Sequence, residues 1–215
     1  MILAAGRGER MRPLTDATPK PLLYAGKHRL IEWQIAALVR AGVRRIVINH
    51  AWLGSQFESV LGTGSRYGCE LIYSAESPAL ETAGGIAHAL PHLGQAPFIV
   101  VSGDIYTDYD YAALQAHAAT PLVHLVLVAN PPYNAAGDMG LHAGQINPAA
   151  AEKLTYANIG VFNPRIFSHL DPSAPKKLFP WLYQQAPLTG ELFGGSWHNV
   201  GTPQQLANLQ ALLSE

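Results

Sequence analysis

The stretch LAAGRGERMRPLT, Leu3 to Thr15, with Pro19-Lys20-Pro21 close behind it, sets glycines and cationic side chains directly after a short apolar run. Gly6 and Gly8 permit a sharp turn in which backbone N–H groups approach an anion closely. Arg10, Arg12 and Lys20 can then bring positive charge to phosphate oxygens. No GK[ST] follows these glycines, and the third glycine of a dinucleotide fingerprint is missing, so neither of the commoner phosphate loops is present. The residues read as a phosphate-cradling loop of another kind, or else as a glycine-rich turn with solvated basic side chains.

Two further segments could complete a nucleotide site. In FIVVSGDIYTD, from Phe98, an apolar run ends in Ser102-Gly103-Asp104. A carboxylate just past the carboxyl end of a strand is placed to hold Mg2+ against a phosphate, and that ion keeps several waters, so one or two protein oxygens suffice. In YSAESPALETAGGI, Tyr73 to Ile86, a strand runs into a helix that opens near Glu81, Thr82, Gly84 and Gly85. Backbone amides there can read the carbonyl edge of a planar base, and the Glu76 carboxylate can accept from a ring N–H. The competing reading is a plain helix start at which Glu81 serves the dipole.

Other chemistry-bearing residues lead elsewhere. GTGSRYG, Gly62 to Gly68, falls between a helix and a strand and reads as a helix stop. His88 and His92 have helical spacing, but HExxH is missing and Pro91 is expected to interrupt the helix. Ser102 lies in no GxSxG elbow, and Cys69 has no visible base, so covalent nucleophilic catalysis is unsupported.

The elements that must position these residues alternate. Met1 to Ala5, Arg45 to Asn49, Cys69 to Ser74, Phe98 to Ser102 and Leu122 to Val128 read as strands, rich in apolar and β-branched residues. Leu30 to Ala41, Ser55 to Leu61, Ala83 to Leu93 and Tyr111 to Ala118 carry helical spacing. Such alternation predicts an α/β fold, a Rossmann-like, mainly parallel sheet with helices on both faces and the ligand beyond the carboxyl ends of the strands. From about Asn130 the Pro-, Gly- and Asn-rich pattern predicts loops and short antiparallel strands, a lid or platform beside the site. Tyr156 to Phe162 then reads as a strand and Ala174 to Gln185 as a helix. Thr202 to Ser214 reads as a last helix, capped by Thr202 with Pro203 in its first turn.

With 215 residues the chain suits one enzyme domain in two halves, residues 1 to about 129, which carry the nucleotide loop, and about 130–215. Lys and Arg number 14 against 15 Asp and Glu, so nothing points to nucleic acid or an anionic membrane as partner. One cysteine allows no internal disulfide, and the opening run is too short for a signal peptide. A cytoplasmic protein, monomer or homodimer, is the expectation.

LAAGRGERMRPLT…TPKPLL closely resembles the opening of the sugar-1-phosphate nucleotidylyltransferases, whose pattern is LAAGxGxRxxPLT…PKP. The resemblance implies a nucleotide-diphospho-sugar transferase fold of the GT-A-like kind, with Ala4, Ala5, Gly6 and Gly8 along the nucleotide. It also implies that Arg10 contacts the departing β- and γ-phosphates and that Lys20 steadies the phosphates around the reacting α-phosphorus. Asp104 would be one ligand of Mg2+. The second would come from a strand reading WxDxGTxxxL, here Trp197-His198-Asn199-Val200-Gly201-Thr202, with Asn199 where many members carry Asp. A neutral amide oxygen still ligates Mg2+ but supplies less charge, and members with Asn in this role occur among the UDP-N-acetylglucosamine pyrophosphorylases.

LETAGGI, with Glu81 in place of the usual glycine of an LGTAG-like turn, is similar to the branch that uridylylates N-acetylmuramate 1-phosphate. NPPYNAAGDMGL, KLTYANIGVF, KLFPWL and SWHNVGTPQQL follow in the order of that branch. Asp138, Tyr156, Asn158 and Gly160 would then line the sugar-phosphate side, Asn158 standing where glycine is expected, and Asp138 and Asn158 equally suit turns. GKHRLIEW, where relatives read GKPLIEW, departs at a helix start. The implied substrates are UTP and N-acetylmuramate 1-phosphate. Mannose-1-phosphate guanylyl transfer, glucose-1-phosphate thymidylyl or uridylyl transfer, and a catalytically silent nucleotide-sensing subunit stay open.

Overall fold

A computed structural model describes residues 1–117, 122–185 and 187–214. The strands are β1 (Ile2–Leu3), β2 (Tyr24–Ala25), β3 (His28–Arg29), β4 (Arg45–His50), β5 (Glu70–Ala75), β6 (Phe98–Ser102), β7 (Ile105–Thr107), β8 (Val123–Val128), β9 (Gly140–His142), β10 (Gln145–Asn147), β11 (Thr155–Phe162), β12 (Thr189–Leu192) and β13 (Trp197–Asn199). The α-helices are α1 (Leu14–Ala17), α2 (Leu30–Arg40), α3 (Ser55–Leu61), α4 (Glu81–Leu93), α5 (Tyr111–His117) and α6 (Pro203–Leu212).

Nine strands form one sheet in the order β5-β4-β1-β6-β11-β8-β12-β10-β9, with β13-β7 and β2-β3 as separate antiparallel pairs. β5, β4, β1 and β6 run parallel, β11 runs against both β6 and β8, and β12 returns parallel to β8. Only β11 and β10 oppose the others, so the expected mainly parallel sheet holds by strand direction.

Strand alternation decides which helix covers which face. Ile46, Ile48, Val101, Val126 and Ile159 pack against α2, α3 and α5, through Ile31, Ile35, Phe57, Tyr111 and Leu114. Val47, Val100, Leu125 and Leu127 face the other way, onto Ala83, Ile86 and Ala87 of α4 and onto Phe167 and Trp181. A third cluster sets Leu206 and Leu209 of α6 against Ala25, Leu30 and Met11, which fastens the C-terminal helix to the β2–β3 hairpin. Thr202 caps α6 by accepting from Gln205 N–H, and the GKHRLIEW departure, His28-Arg29, forms β3 directly before α2, with Arg29 at the helix start.

Some boundaries differ from expectation. Ala174 to Gln185 forms no α-helix; only Trp181–Gln184 winds into a 3-10 turn. Pro175 and Pro180 remove backbone donors and clash with a preceding helical turn, which outweighs the apolar spacing. Pro91, by contrast, lies inside α4, which runs on to Leu93. The missing N–H falls in the last turn, where little helix remains to be broken. The predicted end of α5 at Ala118 lies outside the described residues.

Gly160, expected beside the sugar phosphate, sits in the middle of β11 between β6 and β8. A Cβ there would stand 2.8 Å from the His124 carbonyl oxygen and 3.0 Å from the Phe162 ring. Its small size serves strand packing. Gly160→Ala is expected to lower the unfolding free energy by about 1–3 kcal/mol, the usual cost of overfilling a packed core. A urea midpoint equal to that of the wild type would overturn this account.

Candidate active site

The carboxyl ends of β1, β4 and β6 place Ala4 to Gly6, Asn49 and Ser102 to Asp104 around a cavity of about 380 Å³. Lys20, Glu81 and Thr82 complete its wall. The loop after β1 is held from its neighbour: Asn49 on β4 accepts from Ala4 N–H at 3.0 Å. A Cβ on Gly6 would meet nothing within 4 Å, so the backbone there faces open space. Gly8 turns the chain at φ +69°, and Thr15 closes the loop by donating to the Gly8 carbonyl at 2.8 Å.

Lys20 forms an ion pair with Asp104, both side chains largely shielded from solvent. Asp104 is tied to the second metal candidate through the backbone. β7 and β13 pair antiparallel with Asn199 opposite Ile105, and Val200 N–H donates to the Asp104 carbonyl at 3.0 Å. Residues 95 positions apart in the chain thus become lateral neighbours.

Asn199 lines a second cavity, about 550 Å³, together with Arg10, Tyr133, Asp138, Tyr156 and Asn158. A Cβ at Gly201 would come within 3.0 Å of the Arg10 guanidinium, so that glycine leaves room for the arginine. Tyr133 stands where the groups converge. Burial pushes its phenol up, the Asp104 carboxylate adds to the shift, and Arg10 and a hydrogen bond with Asn199 oppose it. Asp138 is fastened by Asn134 at 3.1 Å and by Tyr156 N–H at 2.8 Å. Asn158 sits at a register irregularity between β11 and β8 with φ +59°. That left-handed conformation explains the glycine expected there, because asparagine tolerates it better than most side chains.

Two expectations are corrected. Glu76 does not line the cavity: it is 5% exposed, and its two oxygens accept from Asn49 Nδ2 and from Leu80 N–H, each at 2.7 Å. Gly85 exists for this pair, since a Cβ on it would lie 2.4 Å from the Glu76 carboxylate. The expectation that amides at the start of α4 read a base narrows to those of Glu81 and Thr82, which line the cavity. Ala83 and Gly84 N–H both donate to the Lys176 carbonyl, at 2.8 and 3.1 Å.

Several lining residues escaped the sequence reading. Asn49 gave only the weak signal of a polar residue ending an apolar strand. Arg7 lines the first cavity with its guanidinium 3.2 Å from the centre of the Trp52 ring, and its buried Nη1 has no hydrogen-bond partner among the described residues. Tyr133 lay in a segment read as loop.

Glu81 also adopts a left-handed conformation, φ +59°, at the mouth of the first cavity. Glutamate there carries about 1–2 kcal/mol of strain, offset by about 0.3–1 kcal/mol from its carboxylate at a helix N-terminus. Glu81→Gly is therefore expected to raise the unfolding free energy by up to about 1 kcal/mol while weakening nucleotide binding. Chemical denaturation would check the first effect and calorimetric titration with nucleotide the second. A destabilised variant would show that the carboxylate holds the loop.

The family model described as nucleotidyl transferase matches residues 1–215. An N-acetylmuramate alpha-1-phosphate uridylyltransferase of Neisseria meningitidis serogroup B is 48% identical over 99% of this chain and 96% of its own length. A mannose-1-phosphate guanylyltransferase catalytic subunit beta of Drosophila melanogaster is 30% identical over 95% of this chain, which spans 59% of that protein. Among solved structures, a putative glucose-1-phosphate thymidylyltransferase of Bacillus anthracis superposes with a TM-score of 0.87, covering 100% of this chain and 94% of that one at 21% identity. With a glycine loop after β1 and Asp104 at the end of β6 inside a match that runs its whole length, this chain belongs to the nucleotidyl transferase family.

Proposed function

We propose that this protein transfers a uridylyl group from UTP to N-acetylmuramate 1-phosphate, giving UDP-N-acetylmuramate and pyrophosphate. The observation that carries the reaction type is the convergence of Lys20, Asp104, Asn199 and Arg10 where two cavities approach each other. The choice of base and sugar rests on the 48% identity to a relative so named. In this reading residues 1–129 hold the nucleotide and 130–215 the sugar phosphate. The setting is peptidoglycan recycling in the cytoplasm, and no helix among the described residues is long and apolar enough to cross a membrane.

Asp104 offers a carboxylate and Asn199 an amide oxygen from adjacent strands. This all-oxygen donor set suits a small hard cation such as Mg2+. When bound, such an ion would neutralise charge on the phosphates of the nucleotide. The protein's own groups do the positioning. Backbone amides from Ala5 to Gly8 are placed to face the phosphates, Ala4 N–H being held by Asn49, and Arg7, with its unpaired buried N–H, and Arg10 add cationic donors. Lys20, already compensating Asp104, lies at the reacting end of the first cavity.

A sugar 1-phosphate is anionic at neutral pH and attacks the α-phosphorus in line without a general base, while pyrophosphate leaves from the opposite side. Rate enhancement then comes from alignment and charge stabilisation. Asp138, Tyr156 and Asn158 are proposed to hold the sugar, with Tyr133 between the sugar and the phosphates.

Pyrophosphate release with UTP is expected to be fastest with N-acetylmuramate 1-phosphate among the muramate, N-acetylglucosamine, glucose and mannose sugar phosphates. Faster turnover with GTP and mannose 1-phosphate would favour the guanylyl-transfer alternative. Binding of nucleotide without turnover of any sugar phosphate would favour a silent sensor. Arg10→Ala and Asp104→Ala are each expected to cut kcat by roughly 100-fold or more, the scale of losing one preorganised charge-stabilising group. Rates within a few-fold of wild type would refute these roles. Asn199→Asp adds a charged ligand and is expected to lower the Mg2+ concentration needed for half-maximal rate. An unchanged requirement would remove Asn199 from the metal site.

A further inference from the structure

We propose that His117, His124 and Glu191 form a binding site for one borderline transition-metal ion, of which Zn2+ is the representative, separate from the site at Asp104. One ligand atom from each of the three residues lies within 4.8 Å of the others. Neighbouring strands and a covering helix build this arrangement. β8 and β12 pair with His124 opposite Thr189 and Val126 opposite Glu191, so His124 and Glu191 share a sheet face. α5 packs on that face through Tyr111 and Leu114 and carries His117 at its end.

The protonation state of His124 follows from its partners. Thr189 Oγ1 donates its proton to the Val123 carbonyl at 3.1 Å, so toward His124 Nδ1, 2.9 Å away, it can only accept. The hydrogen therefore sits on Nδ1, and Nε2 carries a lone pair. His124 is only 3% exposed, and this Nε2 has no hydrogen-bond partner among the described residues. A buried acceptor without a donor is costly, whereas an imidazole fixed through Nδ1–H with Nε2 free is the form that binds metal.

The other two groups complete the donor set. The His117 ring stacks on His124, centroids 3.8 Å apart and planes within 5°, and its Nε2 lies 3.8 Å from a Glu191 oxygen. Burial and the neighbouring His117 lower the His124 imidazole, against the opposing Glu191 carboxylate. The second Glu191 oxygen accepts from the Tyr109 hydroxyl, an outer contact that orients the carboxylate. Two imidazoles and a carboxylate favour zinc, cobalt, nickel or copper over Mg2+. Tetrahedral ligands at about 2.0–2.1 Å stand roughly 3.4 Å apart, so contraction by up to about 1.4 Å, with the His117 ring turning out of its parallel stack so that both lone pairs converge, closes the site. His117 and Glu191 are 39% and 32% exposed, which leaves an entry path and a position for water.

A bound ion would pin α5 to β8 and β12. It would also stiffen the run from Glu191 to Asn199, which Asp108 already fastens at Ser196 N–H at 2.8 Å. Its role is structural, and the test reads binding in place of turnover.

The protein is stripped with chelator and titrated with Zn2+ in excess Mg2+, with metal analysis after desalting and Co2+ as a spectroscopic stand-in. One zinc per chain, a raised melting temperature and the visible absorption of four-coordinate Co2+ are expected. His117→Ala and Glu191→Gln, both at exposed positions, should each weaken binding at least about 100-fold, beyond the 10–100-fold expected of Thr189→Val for an outer partner. Asp104→Ala should bind zinc like the wild type. Failure of the wild-type protein to retain zinc would overturn the proposal, as would binding that survives His117→Ala or disappears in Asp104→Ala.

Discussion

A chain of buried hydrogen bonds sets the relation between the two loops that face the first cavity. Ala4 N–H is held by Asn49, Asn49 is held by Glu76, and Glu76 in turn holds Leu80 N–H. The first two links join the carboxyl end of β4 to the segments that follow β1 and β5, and the third fixes the segment after β5 on itself. The phosphate-facing turn after β1 and the start of α4 therefore cannot move independently, and the network is satisfied without ligand. Gly85 is the steric condition for it, because any larger residue would displace the carboxylate. Glu76 acts through geometry, by presenting Asn49 and the Leu80–Thr82 segment to the first cavity without lining it.

Antiparallel strands extend this parallel scaffold. β11 enters between β6 and β8 and brings Tyr156 and Asn158 to the second cavity, while β13 pairs with β7 and brings Asn199 beside Asp104. Left-handed backbone recurs at these places: Gly8 in the phosphate loop, Glu81 at the cavity mouth, Asn158 at the bulge. Glycine adopts it at little cost, whereas Glu81 and Asn158 hold it with a side chain directed at a cavity lining.

Charge is balanced locally. Asp104 is compensated by Lys20, and Arg7 is spread over Trp52. On the sheet face beneath α5, Tyr109 links Glu191 to the aromatic rings of Tyr111 and Phe193. Thr107 and Asp108 fasten the adjoining Ser196 backbone. The strand that delivers Asn199 is therefore anchored at its base by polar contacts separate from the glycine loop's own supports.

The amino-acid sequence by itself determined the alternating elements, the nucleotide loop and the positions of Lys20 and Asp104 beyond strand ends. These depend on local periodicity, on glycine spacing and on charge close to it. Only the tertiary structure decided that Glu76 serves a buried hydrogen-bond network and Gly160 strand packing, that Asn49, Arg7 and Tyr133 line the cavities, and that the apolar sequence around Leu178, between Pro175 and Pro180, forms no α-helix. The roles of Glu76 and Asn49 depend on which strands become neighbours, and no residue near them in the chain reveals that. Glu81 and Asn158 stood in sequence as exchanges for glycine; the positive φ that makes glycine natural there became visible only in the folded backbone. His117, His124 and Glu191 carry no motif at all, because parallel pairing and helix docking, both long-range, bring them together.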